Sequence, residues 1–228
     1  AGDVNGDGYS DVIIGASFYN DGANTAEGRA FVYHGSATGI SLAPNSIPDD
    51  ADQNGAQFGI SVAGAGDVNG DGYSDVIIGA NLFNDGANTS EGRAFLYYGS
   101  ATGLSASPNS TPDDADQANA WFGYSVASAG DVNGDGYSDV IIGAWQYDDG
   151  FSTEGKVFLY NGNELTGNKR NNLRLYNADL TTPYNSSNFI FGNFGAGLYA
   201  KSFTGRSKAK LVWETRLNYN AYSGTPIT

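Results

Sequence analysis

The sixteen residues AGDVNGDGYSDVIIGA occur three times in this chain, at 1–16, 65–80 and 129–144, with a strict period of 64. Self-similarity at such a period marks a stack of supersecondary units, none of which can bury its apolar face alone. Within each copy, oxygen-bearing side chains recur at alternate positions, as they do in a short loop that wraps a hard cation. The repeat therefore constrains the architecture and a candidate metal site together.

Each copy is followed by a polar loop, FYNDGANTAEG (18–28), LFNDGANTSEG (82–92) or QYDDGFSTEG (146–155). A short apolar stretch comes next, RAFVYHGS (29–36), RAFLYYGS (93–100) or KVFLYNGN (156–163), whose β-branched and aromatic content predicts a strand. A Gly/Ser/Pro-rich segment then leads to FGISVAGAGD (58–67) or FGYSVASAGD (122–131), a strand that runs into the next loop. The unit thus offers three clear strands and a fourth, weakly marked one in the Pro-rich segment. No useful length of the chain shows helical periodicity. Val12, Ile13 and Ile14 form a continuous apolar run, which predicts a strand buried on both faces. The expected fold is all-β, built of β-propeller-like blades, with a β-solenoid as the second choice. The repeats occupy 1–162, divided as 1–64, 65–128 and a partial 129–162, and a β-rich segment follows at 163–228.

In the first loop Asp3, Asn5, Asp7, the Tyr9 carbonyl and Asp11 stand at relative positions 1, 3, 5, 7 and 9. The second loop repeats them as Asp67, Asn69, Asp71, Tyr73 and Asp75, and the third as Asp131, Asn133, Asp135, Tyr137 and Asp139. Calcium prefers six to eight oxygen ligands of these types, whereas magnesium keeps waters and demands a tight octahedron. A donor set without His or Cys disfavours zinc and copper. An EF-hand would place Glu at position 12, where Ile14, Ile78 and Ile142 stand instead, so the loop shares only the ligand arc. The expectation is three structural calcium sites. The plainer alternative is an Asp/Asn/Gly turn without an ion.

Phe58-Gly59 followed by Gly64-Ala65-Gly66-Asp67 resembles the FG-GAP repeat, the blade of integrin α-subunit propellers. Phe122-Gly123 repeats the pattern with Ser128-Ala129-Gly130. The resemblance covers residues 1–162 and implies a seven-bladed propeller with calcium loops on one face, serving adhesion and surface recognition. Three repeats are too few for a ring of about four to eight blades. The ring must then be completed by further sequence, by the tail or by another chain.

Residues 1–160 carry 22 acidic and 3 basic side chains, while 161–228 carry 3 acidic and 8 basic. The acidic part excludes nucleic-acid binding, which needs a basic surface. Three divalent ions would offset about six of its charges and stabilise the fold. There is no Cys for disulfide or thiol chemistry, and no apolar run of membrane-spanning length. The chain opens inside a repeat, so any leader lies outside it or has been removed, and it ends as though more sequence once followed.

Asp49, Asp50 and Asp52 recur as Asp113, Asp114 and Asp116, which reads as a solvated acidic loop with a second cation site as the alternative. His34, the sole histidine, is replaced by Tyr98 and Asn161 at the equivalent positions, against a Ser/His catalytic system. Three Asn-X-Ser/Thr sequons, at Asn88, Asn109 and Asn185, matter only in a eukaryotic secretory host. The basic, aromatic tail resembles sequences that follow FG-GAP repeats in exported bacterial proteins. It is expected to cap or complete the repeats, or to pair with a neighbouring chain. The resulting expectation is a calcium-binding adhesion or recognition scaffold, secreted or displayed on a bacterial surface, with a protein or glycan ligand. A self-assembling filament subunit and a propeller hydrolase or lyase are the alternatives.

Overall fold

The computed structural model describes residues 1–162, apart from Asp21 and Ala23, together with the strand segments 173–177 and 194–198. Every regular element among them is a strand. In the first repeat β1 (Val12–Ala16) pairs antiparallel with β2 (Arg29–Tyr33), Ile14 opposite Phe31. Grouped by sheet, which moves the boundaries from 64 and 128 to just before Phe58 and Phe122, the second repeat is a three-stranded meander of β3 (Ser61–Gly66), β4 (Asp75–Ala80) and β5 (Arg93–Tyr97), with β4 in the centre. The third repeats it with β6 (Phe122–Gly130), β7 (Asp139–Ala144) and β8 (Lys156–Tyr160). In a separate unit β9 (Leu173–Asn177) pairs antiparallel with β10 (Phe194–Leu198). The rest of the basic, aromatic segment, with its expected capping or pairing role, lies outside the described residues.

The Val-Ile-Ile run after each loop forms β1, β4 and β7, as its β-branched content favours. The weak fourth strand is present as a short outer segment. Val32 N–H donates to the Ser46 carbonyl at 2.9 Å and Ala30 N–H to that of Pro48 at 3.0 Å. Leu96 and Ala94 make the same bonds to Ser110 and Pro112. Proline suits this edge, where its missing N–H costs no ladder bond.

Successive repeats stack through apolar layers. Ala30 and Val32 of the first repeat cluster with Phe58, Val76, Ile78, Phe95 and Tyr97 of the second. Ala94 and Leu96 of the second cluster in the same way with Phe122, Val140 and Ile142 of the third. The aromatic contact is copied too: Phe58 meets Phe95 edge-on at 5.1 Å, and Phe122 meets Phe158 edge-on at 5.1 Å. With a repeat on either side, β4 is buried along its whole length, as expected. The same expectation fails for β1, whose Val12 and Ile14 are exposed, because the second repeat covers only its inner side.

The Phe-Gly pair joins one repeat to the next. Phe58 N–H donates to the Glu27 carbonyl at 2.8 Å, and Phe122 N–H to that of Glu91 at 2.7 Å. The backbones approach so closely that a Cβ on Gly15 would lie 2.0 Å from the Gly59 carbonyl oxygen, and one on Gly79 1.9 Å from that of Gly123. Only glycine fits such a contact. Gly79→Ala is therefore expected to cost about 3 kcal/mol by overpacking the joint between the second and third repeats. Gly86→Ala, at φ +56° with open space around it, should cost only about 1 kcal/mol. Urea unfolding of the two variants checks the difference.

Candidate metal centre

Each loop is closed at its base by a backbone pairing, Gly2 with Asp11, Gly66 with Asp75 and Gly130 with Asp139. The first carboxylate folds back over the loop. Asp3 accepts N–H bonds from Gly6 at 2.7 Å and Gly8 at 2.9 Å. Asp67 accepts from Gly70 and Gly72, and Asp131 from Gly134 and Gly136. Asn5 and Asp7 form successive side-chain turns: the Asn5 oxygen accepts from Asp7 N–H at 3.0 Å, and Asp7 Oδ1 from Tyr9 N–H at 2.9 Å. The same bonds recur at Asn69 and Asp71 and at Asn133 and Asp135.

The last carboxylate is a brace. Asp11 accepts from Val4 N–H and Gly35 N–H, both at 2.8 Å. Asp75 accepts from Val68 and Gly99, and Asp139 from Val132 and Gly162. One buried side chain thus ties the start of its loop to the end of the strand after next. The loops also link to each other, since Ser74 N–H donates to the Asp3 carbonyl and Ser138 N–H to that of Asp67, each at 2.9 Å. They form a row at one end of the sheets.

Burial pushes the Asp75 carboxyl up to about 8, against its bonds from Gly99 and Val68 and with the charges of Asp71 and Asp67 adding to the rise. Such a carboxylate favours a proton or a cation. Among the described residues no three acidic or histidine side chains converge as a metal cluster. The donor chemistry nevertheless fits a hard cation: side-chain oxygens from Asp and Asn, a backbone carbonyl, and neither sulfur nor imidazole. Asp3 Oδ1 and Asp131 Oδ1 each accept a second N–H bond, from Asp7 and Asp135, and are filled, whereas Asp3 Oδ2, Asp131 Oδ2 and the Asp7 and Asp11 oxygens accept one bond each and keep a lone pair for a ligand.

In the second acidic group Asp52, Asp114 and Asp116 are exposed, as expected of a solvated loop, while Asp49, Asp50 and Asp113 are half-buried and engaged by side chains. Asp49 pairs with Arg29 at 2.5 Å, and Asp50 accepts from the Tyr97 hydroxyl of the next repeat at 2.5 Å. Asp113 pairs likewise with Arg93, and burial, with the nearby Asp114 adding to it, pushes the pKa of the Tyr160 hydroxyl up. Arg29, Arg93 and Lys156 in turn lie over Tyr19, Phe83 and Tyr147 at 4.5–4.6 Å from the ring centres. The recurrence of Arg29 with Asp49 and Asp50, and of Arg93 with Asp113 and Asp114, at the same twenty-residue spacing is the sequence signal for this brace. His34 sits under Gly103, where a Cβ would come 3.2 Å from its ring.

The FG-GAP repeat family model matches residues 1–33, 58–97 and 122–160. Integrin alpha-6 of Gallus gallus is 32% identical over 145 residues, covering 62% of this chain and 12% of that protein. Integrin alpha-7 of Homo sapiens is 34% identical over 146 residues, covering 62% of this chain and 11% of that protein. Integrin alpha-5 of Xenopus laevis is 30% identical over 167 residues, covering 70% of this chain and 15% of that protein. The chain thus spans less than a sixth of the length of these relatives.

An aspartate whose folded value is raised holds its proton in the folded state after the unfolded chain has released it. The stability this confers is complete below the ordinary value of 3.8 and is lost as pH rises through about 8. In chelator, the native chain should therefore lose stability relative to Asp75→Asn across that window, by at most about 1.4 kcal/mol per pH unit. Urea denaturation of both at a series of pH values measures this, and parallel pH curves would refute it.

Proposed function

This chain is an FG-GAP repeat protein, and from that premise we propose that it is an extracellular, calcium-loaded scaffold for adhesion or surface recognition, with the metal in a structural role. The observation that carries the reading is the triplicated loop, in which a buried carboxylate at Asp11, Asp75 or Asp139 closes an arc of further oxygen donors. The residues that would hold the ions are Asp3, Asn5, Asp7, Tyr9 and Asp11, then Asp67, Asn69, Asp71, Tyr73 and Asp75, then Asp131, Asn133, Asp135, Tyr137 and Asp139, each tyrosine through its carbonyl. Bound calcium would supply the positive charge that the loops lack.

The chain's own part is to hold these carboxylates in place and to pass their order along the stack. The loop-to-loop bonds from Ser74 to Asp3 and from Ser138 to Asp67 make a change in one loop felt by the next. Millimolar extracellular calcium suits sites of modest affinity. The likeness to integrin alpha chains supports an adhesive role with a protein or glycan partner, outside the cell or on its surface. No helix among the described residues is long and apolar enough to cross a membrane. The reading is one of binding, without catalysis: the one histidine is not repeated, and the acidic pairs outside the loops are engaged by Arg29, Arg93 and Tyr97.

Calorimetry should find about three calcium ions per chain and about two for Asp71→Ala, with little heat from magnesium. Each site saturated at about 100 times its dissociation constant adds about 2.7 kcal/mol, so three sites add about 8 kcal/mol and calcium should raise the melting temperature by roughly 15–30 °C over chelator. A melting temperature unchanged by chelator, together with no binding heat, would sink the proposal.

A further inference from the structure

Each loop carries an asparagine directly before a glycine: Asn5-Gly6, Asn69-Gly70 and Asn133-Gly134. In this dipeptide the backbone nitrogen of glycine can close a cyclic imide on the asparagine side-chain amide, because no Cβ on the glycine crowds the ring. In the folded loop both partners of that step are engaged elsewhere. Gly70 N–H donates to the Asp67 carboxylate at 2.6 Å. The Asn69 amide oxygen accepts from Asp71 N–H at 2.9 Å, and its amide nitrogen donates to the Asp71 carboxylate at 3.0 Å. The same three bonds hold Asn5 with Gly6 and Asn133 with Gly134. All of them lie within a single loop, so they do not depend on what flanks the repeats.

We propose that Asn69, and with it Asn5 and Asn133, is a site of self-modification by deamidation, which proceeds only when its loop opens. In the open loop Gly70 N bonds to Asn69 Cγ and the Cγ–Nδ2 bond breaks. The side-chain nitrogen leaves as ammonia, carrying the proton that Gly70 N gives up. Water then opens the imide at either carbonyl. The net exchange is one water taken up for one ammonia released, with nothing oxidised or reduced. Opening at one carbonyl leaves an aspartate, which adds a carboxylate beside Asp67, Asp71 and Asp75. Opening at the other leaves an isoaspartate, whose backbone is longer by one methylene. That product shifts Asp71, Tyr73 and Asp75 out of register with Asp67 and breaks the alternation of donors, so a loop left open is lost for good. Protection by the loop's own bonds stands without an ion, whereas any effect of calcium on the rate rests on the scaffold proposed above.

The test incubates the full chain in mildly alkaline buffer, in calcium and in chelator, beside a synthetic peptide of residues 67–75. Peptide mapping by mass spectrometry follows each asparagine through the mass gain of an amide-to-acid exchange, and circular dichroism verifies folding in each arm. In every folded arm the loop asparagines should convert at least about tenfold more slowly than in the peptide, which an opening cost of about 1.4 kcal/mol suffices to give. The slowing at Asn69 should track the protection of the Gly70 amide against hydrogen exchange, since both need the same opening. Asn54-Gly55 is the internal reference for calcium, because Thr25 holds it rather than a loop carboxylate. Thr25 N–H donates to the Asn54 side-chain oxygen and Gly55 N–H to the Thr25 carbonyl, both at 2.8 Å. Calcium that slows the loop asparagines and leaves Asn54 unmoved supports both the site and the scaffold reading. Equal loop rates in calcium and chelator, both below the peptide's, support the site and count against the calcium reading alone. Loop asparagines that convert in the folded chain as fast as in the peptide overturn the proposal, and so does a peptide that never converts.

Discussion

A buried carboxylate at the closing position of each loop organises this chain. Asp11, Asp75 and Asp139 each bond two backbone N–H groups, one at the start of the loop and one beyond the end of the following hairpin strand. That brace sets where the loop sits on its sheet. It also places a carboxyl where burial penalises the charged form, as at Asp75. The raised Asp75 carboxyl expresses that penalty. Loop shape and the attachment of each loop to its sheet are thus consequences of one interaction repeated three times.

Spacing between the blades is set by backbone. Gly15 against Gly59, and Gly79 against Gly123, bring two chains of peptide into contact where no side chain fits. Once that distance is fixed, the side chains between the sheets must be of set size. Small Ala30 and Ala94 lie near the joint, and Phe58 and Phe122 fill the wider part against Phe95 and Phe158. The acidic pairs complete the same interface from its edge, where Asp50 reaches Tyr97 across the repeat boundary.

Much of this was legible in the sequence because an exact repeat exposes period, strand order and donor spacing at once. The three clear strands per unit and the loop boundaries follow from local pattern, which the structure keeps. What local pattern could not show was anything that depends on a neighbour in space. Val12, Ile13 and Ile14 have the same letters as Val76, Ile77 and Ile78, yet only the latter lie between two repeats. Asp49 and Asp50 read as solvated because their partners, Arg29 and Tyr97, are distant in sequence. The fourth segment at Ser46–Pro48 was faint because an edge bonded on one side needs no strong β-pattern.

Identity among the repeats also separates scaffold from specificity. Loop donors and braces are the same in all three repeats, and the joint glycines are the same in both joints, so the copies do not differ there. Differences gather elsewhere. Gln57, Ile60 and Asn81 of the second repeat become Trp121, Tyr124 and Trp145 in the third, a trio of rings with centres 5.4–6.2 Å apart. Trp121 holds this place at φ +56°, a left-handed backbone inherited from Gln57 at +57°. The scaffold thus fixes the backbone at such positions and leaves the side chain free to vary. Selectivity in a repeat protein of this kind has to be sought where the copies disagree.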